Sequence, residues 1–229
     1  MRCTPVYIVC SPRPGVGKTL VARLLSEFLL LRDGSIAAFD VNLREPSLLD
    51  YLPELTETAT IGDTHGQMAL MDQLIVNDGV PKVIDLGFHA FDDFFKMIGQ
   101  IGFTKEASFR GVDPVILFLP DATRASVMAW RMLVSNFRDA KMIAIDNDHV
   151  LQGALPKDLE GARLLKITVL PAFLRSIISR TNFSFTNYLR TNLDASSELH
   201  QWIRGNYLKF QNMENCSAES VLPNPRNAG

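Results

Sequence analysis

Short runs of β-branched and aromatic residues alternate along this chain with longer stretches whose apolar positions recur every three or four residues. That alternation predicts strands separated by helices, the pattern of a mostly parallel α/β sheet. Residues 5–10 (PVYIVC) predict a first strand, and 19–31 the helix after it, with Leu20, Leu24, Phe28 and Leu31 near one stripe. Further strands are expected at 35–39, 81–85 (PKVID), 114–119 (PVILFL), 141–145 (KMIAI) and 164–170, with a helix at 122–137. Apolar residues fill both faces of the strands at 6–10 and 114–119, as expected where helices cover each side of a twisted sheet. The connection 42–79 holds Pro46, Pro53 and several Thr and Gly, with a helical pattern only near 67–75. A connection that long is more often functional than idle. A last helix is expected at about 194–210.

Composition bounds this picture. The 229 residues are 47% apolar and 21% charged, which fits one domain with a sizeable core. Disorder throughout and a coiled-coil rod are excluded. Apolar runs such as 28–31 and 115–119 are far short of the roughly 20 residues a membrane helix needs. Pro5 interrupts the apolar N-terminal stretch, so it is read as a strand and not as a signal peptide. Cys3, Cys10 and Cys216 are at unrelated spacings, giving neither a disulfide framework nor a zinc pattern, and Cys3 and Cys10, in or beside the first strand, are expected as buried thiols in a reducing cytoplasm. One domain is expected over residues 1–211. Residues 212–229, polar and carrying Pro223 and Pro225, are expected to form a disordered tail.

The net charge of −2 hides an asymmetry. In residues 161–210, Arg163, Lys166, Arg175, Arg180, Arg190, Arg204 and Lys209 face only Asp194 and Glu198, while the rest of the chain is acidic on balance. A basic segment in a mildly acidic protein points to a polyanion such as DNA or to a solvated helix face.

The strongest chemical signal is 11–19, SPRPGVGKT, directly after the first strand and opening a helix. A glycine-rich strand-to-helix turn exposes backbone N–H groups to a phosphate, and the helix N-terminus adds a favourable dipole. In this pattern Lys18 reaches the β- and γ-phosphates and the Thr19 hydroxyl holds Mg²⁺. The spacing G-x-x-x-x-G-K-[ST] is met at Gly17, Lys18 and Thr19, with Pro12 in place of the first glycine. Ser11, Pro14, Gly15, Val16 and Gly17 complete the expected nucleotide loop. Pro12 and Pro14 stiffen it and each removes a backbone donor. Asp40 and Asp85 fall at expected carboxyl ends of parallel strands, where ligands of such sheets bind.

Residues 13–19 (RPGVGKT) resemble the deviant phosphate loop of the ParA/MinD partition and positioning ATPases, K-G-G-x-G-K-T, with Arg13 at the family's second basic position. Residues 39–44 (FDVNLR) are similar to the family's D-x-D-x-[RQ] segment, spelled most like the MipZ-type division-site positioners. Residues 83–85, 114–133, 143–147 and 169–171 match later family segments in order, so that the resemblance covers roughly 5–180. It implies a single-domain P-loop fold and an ATP-dependent homodimer in which Arg13 crosses to the partner's phosphates. It further implies Asp85 as the outer-sphere Mg²⁺ carboxylate and Asp40 as the first switch aspartate. Asn147 (with Asp146 as the rival) would read adenine, and Pro171 would lie in the last nucleotide-binding strand end. Asn42 replaces the family's second aspartate, beside the attacking water. An amide orients water but accepts no proton at neutral pH, which weakens the case for hydrolysis.

Three functions follow as expectations. The first is a cytoplasmic ATPase switch, acting with a regulatory protein partner in positioning of DNA or protein cargo. The second is an ATP-gated interaction module that barely hydrolyses its nucleotide. The third is a dethiobiotin-synthetase-like ligase, which needs a basic, polar substrate pocket near residues 85–89. His65, His89, His149 and His200 show no metal-ligand spacing, and Met68, Met71, Trp130 and Met132 are read as core or interface residues.

Overall fold

The computed structural model describes residues 3–42, 47–153 and 155–219, with side chains through 215. The chain begins with β1 (Thr4–Cys10), α1 (Lys18–Asp33), β2 (Ala37–Asp40), α2 (Leu48–Tyr51), β3 (Thr56–Thr58) and α3 (Thr64–Leu74). It continues through β4 (Lys82–Asp85), α4 (Phe91–Gln100), α5 (Phe103–Phe109), β5 (Val112–Phe118) and α6 (Arg124–Asn136). The last part is β6 (Lys141–Asn147), α7 (Asp148–Leu151), β7 (Leu164–Ile167), α8 (Ala172–Ile178), α9 (Phe185–Thr191) and α10 (Glu198–Glu219).

The strands form one seven-stranded sheet in the order β3-β2-β4-β1-β5-β6-β7, and every recorded pair is parallel. Strand residues alternate between two cores. Tyr7, Val9, Val115 and Leu117 pack with α1, α8, α9 and α10 on one face. Val6, Ile8, Ile116 and Phe118 pack with α3, α4, α5 and α6 on the other. The α/β expectation holds, and both faces of the central strands are dry, which explains their unbroken apolar runs.

Three differences from the sequence expectations have physical causes. The connection 42–79 contains β3, which pairs with β2 in register Phe39↔Glu57 at the sheet edge. Three residues of Thr-Glu-Thr are too short for an alternating pattern to register. Helices α4 and α5 lie in a stretch with no expected element; α4 buries Phe91, Phe94, Phe95, Met97 and Ile98 on one side. Finally, α10 runs through Glu219, so the expected boundary at residue 211 falls inside a helix. Its stripe of Leu199, Trp202, Ile203, Tyr207 and Phe210 continues to Met213, which is 6% exposed. Glu214, polar in sequence, is taken up by the Tyr7 hydroxyl and by Arg32 at the end of α1.

Among the described residues no helix is long and apolar enough to cross a membrane. The basic segment does not converge as one patch of free cations. Arg163 donates to the Met213 carbonyl, Lys209 to the Lys166 carbonyl at 2.8 Å, and Lys166 pairs with Asp148 at 2.9 Å. Arg175, Arg180, Arg190 and Arg204 are exposed on α8–α10 and the turn after α8.

Candidate functional site

β1 lies between β4 and β5, so the sheet's connections depart in opposite directions from its carboxyl end. Ligands of open α/β sheets bind at such a switch point. The loop 11–17 leaves β1 there and enters α1 at Lys18. Ser11 is fully buried and its Oγ accepts the Arg13 N–H at 3.2 Å, closing the first bend. Pro14 and Gly15 are exposed at the tip, while the Val16 side chain anchors the loop in the α1-side core.

Two glycines carry the loop's shape. Gly15 has φ 68° in open space. Gly17 has φ 93°, and a Cβ there would sit 2.7 Å from Asn147 Nδ2. Positive φ favours glycine because a side chain collides with the following carbonyl. Gly17 is therefore required twice, by its dihedral and by its neighbour.

Lys18 is 5% exposed. Its Nζ donates to the Arg13 carbonyl at 2.8 Å and lies 5.7 Å from the centre of the Phe88 ring. The ammonium is thus folded back over the loop that would cradle a phosphate. Thr19 Oγ1 donates to Asp85 Oδ2 at 2.6 Å, joining the start of α1 to the end of β4. A hydroxyl and a carboxylate side by side fit Mg²⁺, which takes one or two protein oxygens and completes its shell with phosphate and water. Among the described residues no group of three or more His, Cys, Asp or Glu could hold a metal ion.

Asp40 and Asn42 stand at the end of β2, beside Asp85 in the register Asp40↔Asp85. Asp40 is fully buried; one carboxylate oxygen accepts the Asn42 N–H at 2.9 Å and the other the Leu49 N–H at 3.0 Å. It thereby joins the end of β2 to the first turn of α2. Asn42, 4% exposed, packs on Gly87, where a Cβ would lie 2.9 Å from its Oδ1. The Leu43 and Arg44 part of the D-x-D-x-R spelling, on which the likeness to MipZ-type proteins partly rests, lies outside the described residues. Next to Asn42 is an open cleft of about 210 Å³, lined among others by Thr60, Gly62, Gly87, His89 and Asp93. Its described lining contains no lysine or arginine.

On the other side, Asn147 ends β6 and is 3% exposed. Its Nδ2 donates to the Val16 carbonyl at 2.9 Å and its Oδ1 caps α7 through the His149 N–H at 3.2 Å. The amide props the phosphate loop from behind while capping the next helix. Asp146 instead lies 3.9 Å from Lys166. Pro171 caps α8 one strand further out, beyond β7. Between the two, His149 Nε2 accepts the Leu170 N–H at 2.9 Å. Burial, aided by Arg175, holds the His149 pKa below its ordinary value, so the imidazole stays a neutral acceptor.

Arg13, the second basic residue of the loop, bonds through Nε to Asp121 Oδ2 at 2.9 Å. Burial alone would raise the Asp121 pKa, but hydrogen bonds from Thr123 and from Arg13 outweigh it and hold the carboxyl below its usual range. Cys10, beneath the loop, has its thiol pushed far up by burial against the opposing pull of Lys18, so it is inert at neutral pH. Sequence reasoning missed Phe88, Asp121 and the role of His149. Asp121 has a local signal, the Asp-x-Thr-x-x-Ser turn before α6, but its pairing with a residue 108 positions away has none.

No protein-family model matches the chain, and no curated protein matches it by sequence. Among solved structures it is similar to the MinD cell division protein of Aquifex aeolicus, with 14% identity and a TM-score of 0.48 over 91% of this chain and 97% of that one. It is likewise similar to a chain of the MinC:MinD cell division complex of the same organism, at 14% identity and TM-score 0.48 over 97% and 99%. At this identity and score, the fold stands on the chain's own strand order and loop geometry.

Proposed function

We propose that this chain is a nucleotide switch of the ParA/MinD type, which binds Mg·ATP at 11–19 and pairs with a second copy in the ATP-bound state. The observation that carries the reading is the Lys18–Arg13 carbonyl bond on a left-handed glycine loop, beside the Thr19–Asp85 pair at the sheet's switch point. Backbone N–H groups of the loop and the Lys18 ammonium would take the phosphate oxygens. Thr19 and Asp85 would hold Mg²⁺, which when bound neutralises phosphate charge. Arg13, exposed at the rim, would supply a permanently charged fork to the phosphates of the second copy.

Hydrolysis on this reading is slow. Asn42 orients water without accepting its proton, and both oxygens of Asp40 already accept backbone N–H groups. Those two observations favour an ATP-gated module whose turnover depends on a protein partner, with positioning of DNA or protein cargo as the output. A ligase acting on an anionic substrate is disfavoured by the absence of a cation among the described residues lining the cleft beside Asn42.

The test is sedimentation velocity of wild type and Lys18→Ala with no nucleotide, ADP, ATP and a non-hydrolysable analogue, with ATP affinity from calorimetry. Wild type should bind ATP and dimerise only with ATP or the analogue, and Lys18→Ala should do neither. Equal affinity in the two proteins would reject the phosphate site; tight binding without dimerisation would reject the switch.

A further inference from the structure

Arg13 and Asp121 are linked by more than a surface ion pair. The Asp121 side chain is 15% exposed, and that of Arg13 is 41% exposed. Asp121 sits in the turn between β5 and α6, and its two oxygens have separate tasks. Oδ1 accepts the Thr123 N–H at 3.0 Å and the Thr123 hydroxyl; Oδ2 accepts Arg13 Nε at 2.9 Å. The Asp121 N–H in turn donates to Ser126 Oγ at 3.0 Å. The turn needs only Oδ1, so Oδ2 is held rigidly in place and aimed at the phosphate loop. Strand order makes this symmetrical about the loop: β4 on one side of β1 presents Asp85 to Thr19, and β5 on the other leads to Asp121 and Arg13. The Arg13 guanidinium meets Asp121 through Nε, which leaves the Nη pair, the edge suited to two phosphate oxygens.

We infer that Asp121 is a positioning residue for Arg13: it clamps the Nε edge so that the Nη edge projects, already ordered, toward the phosphate of a second copy. This rests on the ATP-dimer reading above. A free arginine loses rotamer freedom when it is fixed in an interface, which weakens binding roughly 2- to 13-fold per side chain, and the clamp removes that loss in advance. With one such arginine per protomer, the two copies together make the dimer about thirtyfold tighter, the middle of a range of about 5- to 160-fold.

The experiment measures the dimer dissociation constant by sedimentation equilibrium with the non-hydrolysable ATP analogue, and monomer affinity for the analogue by calorimetry. Asp121→Asn keeps the Oδ1 acceptor for Thr123 and removes the carboxylate oxygen that Arg13 uses. It should raise the dimer dissociation constant about thirtyfold, leave monomer nucleotide affinity unchanged, and be partly rescued by Asp121→Glu. In an Arg13→Lys background, whose ammonium has no Nε edge to clamp, Asp121→Asn should shift the constant less than about twofold. An unchanged or tighter Asp121→Asn dimer, or an equal effect in the Arg13→Lys background, would overturn the inference while leaving the dimer reading intact. Failure of the wild type to dimerise with the analogue would remove both.

Discussion

Gly17→Ala isolates the loop's internal support. Alanine at φ 93° carries roughly 1–2 kcal/mol of left-handed strain. Its Cβ would also arrive 2.7 Å from Asn147 Nδ2, displacing the amide that donates to the Val16 carbonyl. Leaving that buried pair unmade costs about 1–3 kcal/mol more. The expected destabilisation is therefore about 2–5 kcal/mol. Gly15→Ala is the control, because its φ of 68° is similar but nothing lies within 4 Å of a Cβ there, so only the strain of about 1–2 kcal/mol applies. Urea unfolding of nucleotide-free protein measures both without reference to ATP. The clash also predicts coupling: in Asn147→Ala protein, Gly17→Ala should cost about 1 kcal/mol less than in wild type. Equal destabilisation by Gly17→Ala and Gly15→Ala, with additive behaviour against Asn147→Ala, would show that Asn147 does not brace the loop.

Asn42→Asp should raise single-turnover ATP hydrolysis by about 100-fold, the low end of a positioned general base, and unchanged turnover with binding preserved would remove Asn42 from the reaction. His149 is lowered from 6.5 in the fold, so the unfolded chain binds more protons at mildly acidic pH. Its contribution is complete above about pH 6.5 and is lost as pH falls through the folded value, and His149→Gln should flatten urea stability between pH 7 and 5; an identical pH profile would refute the lowering of the imidazole by burial and Arg175. If the exposed Arg175, Arg180, Arg190 and Arg204 serve DNA, retention by ATP-bound protein should show a log–log salt slope of about −3.6 per protomer at most. No retention at low salt, or a much steeper slope, would exclude that face.

Local chemistry was legible in the sequence and its long-range wiring was not. The strand before the loop, Gly17, Lys18, Thr19 and Asp85 could be found because each lies in a short pattern dictated by backbone geometry. The parallel sheet followed from runs that are apolar on both faces. What stayed hidden involved partners far apart in the chain: Asn147 with Val16, Arg13 with Asp121, Tyr7 with Glu214. For Asp40 the resemblance implies a switch role, and the structure adds that its oxygens hold the backbone of Asn42 and Leu49. The helical end at Glu219 was hidden for the same reason, since Glu214 reads as solvent-facing until Tyr7 and Arg32 are known to await it.

That wiring also decides which parts of the site can respond to a nucleotide. Helix α1 is fixed along its length. Thr19 ties its start to Asp85, and Arg32 ties its end to Glu214. In its middle, Arg23 and Glu27 form a buried pair at 3.5 Å, 2% and 3% exposed. Arg23 donates to the Ile178 and Phe183 carbonyls and lies over the rings of Tyr51, Phe183 and Phe185. Glu27 accepts from Ser184 Oγ at 2.6 Å and from the Thr186 N–H at 2.9 Å. Removing one member of such a pair leaves an uncompensated buried charge, a loss of about 3–5 kcal/mol, so α1 and the α8–α9 connection behave as one rigid block. Lys18, by contrast, would on the proposed function exchange the Arg13 carbonyl for a phosphate oxygen, and that carbonyl lies in the residue whose side chain Asp121 holds. If the chain binds nucleotide as proposed, the residues free to respond are 12–16 and the β2 and β4 strand ends around Asn42 and Gly87, with α1 as the fixed frame.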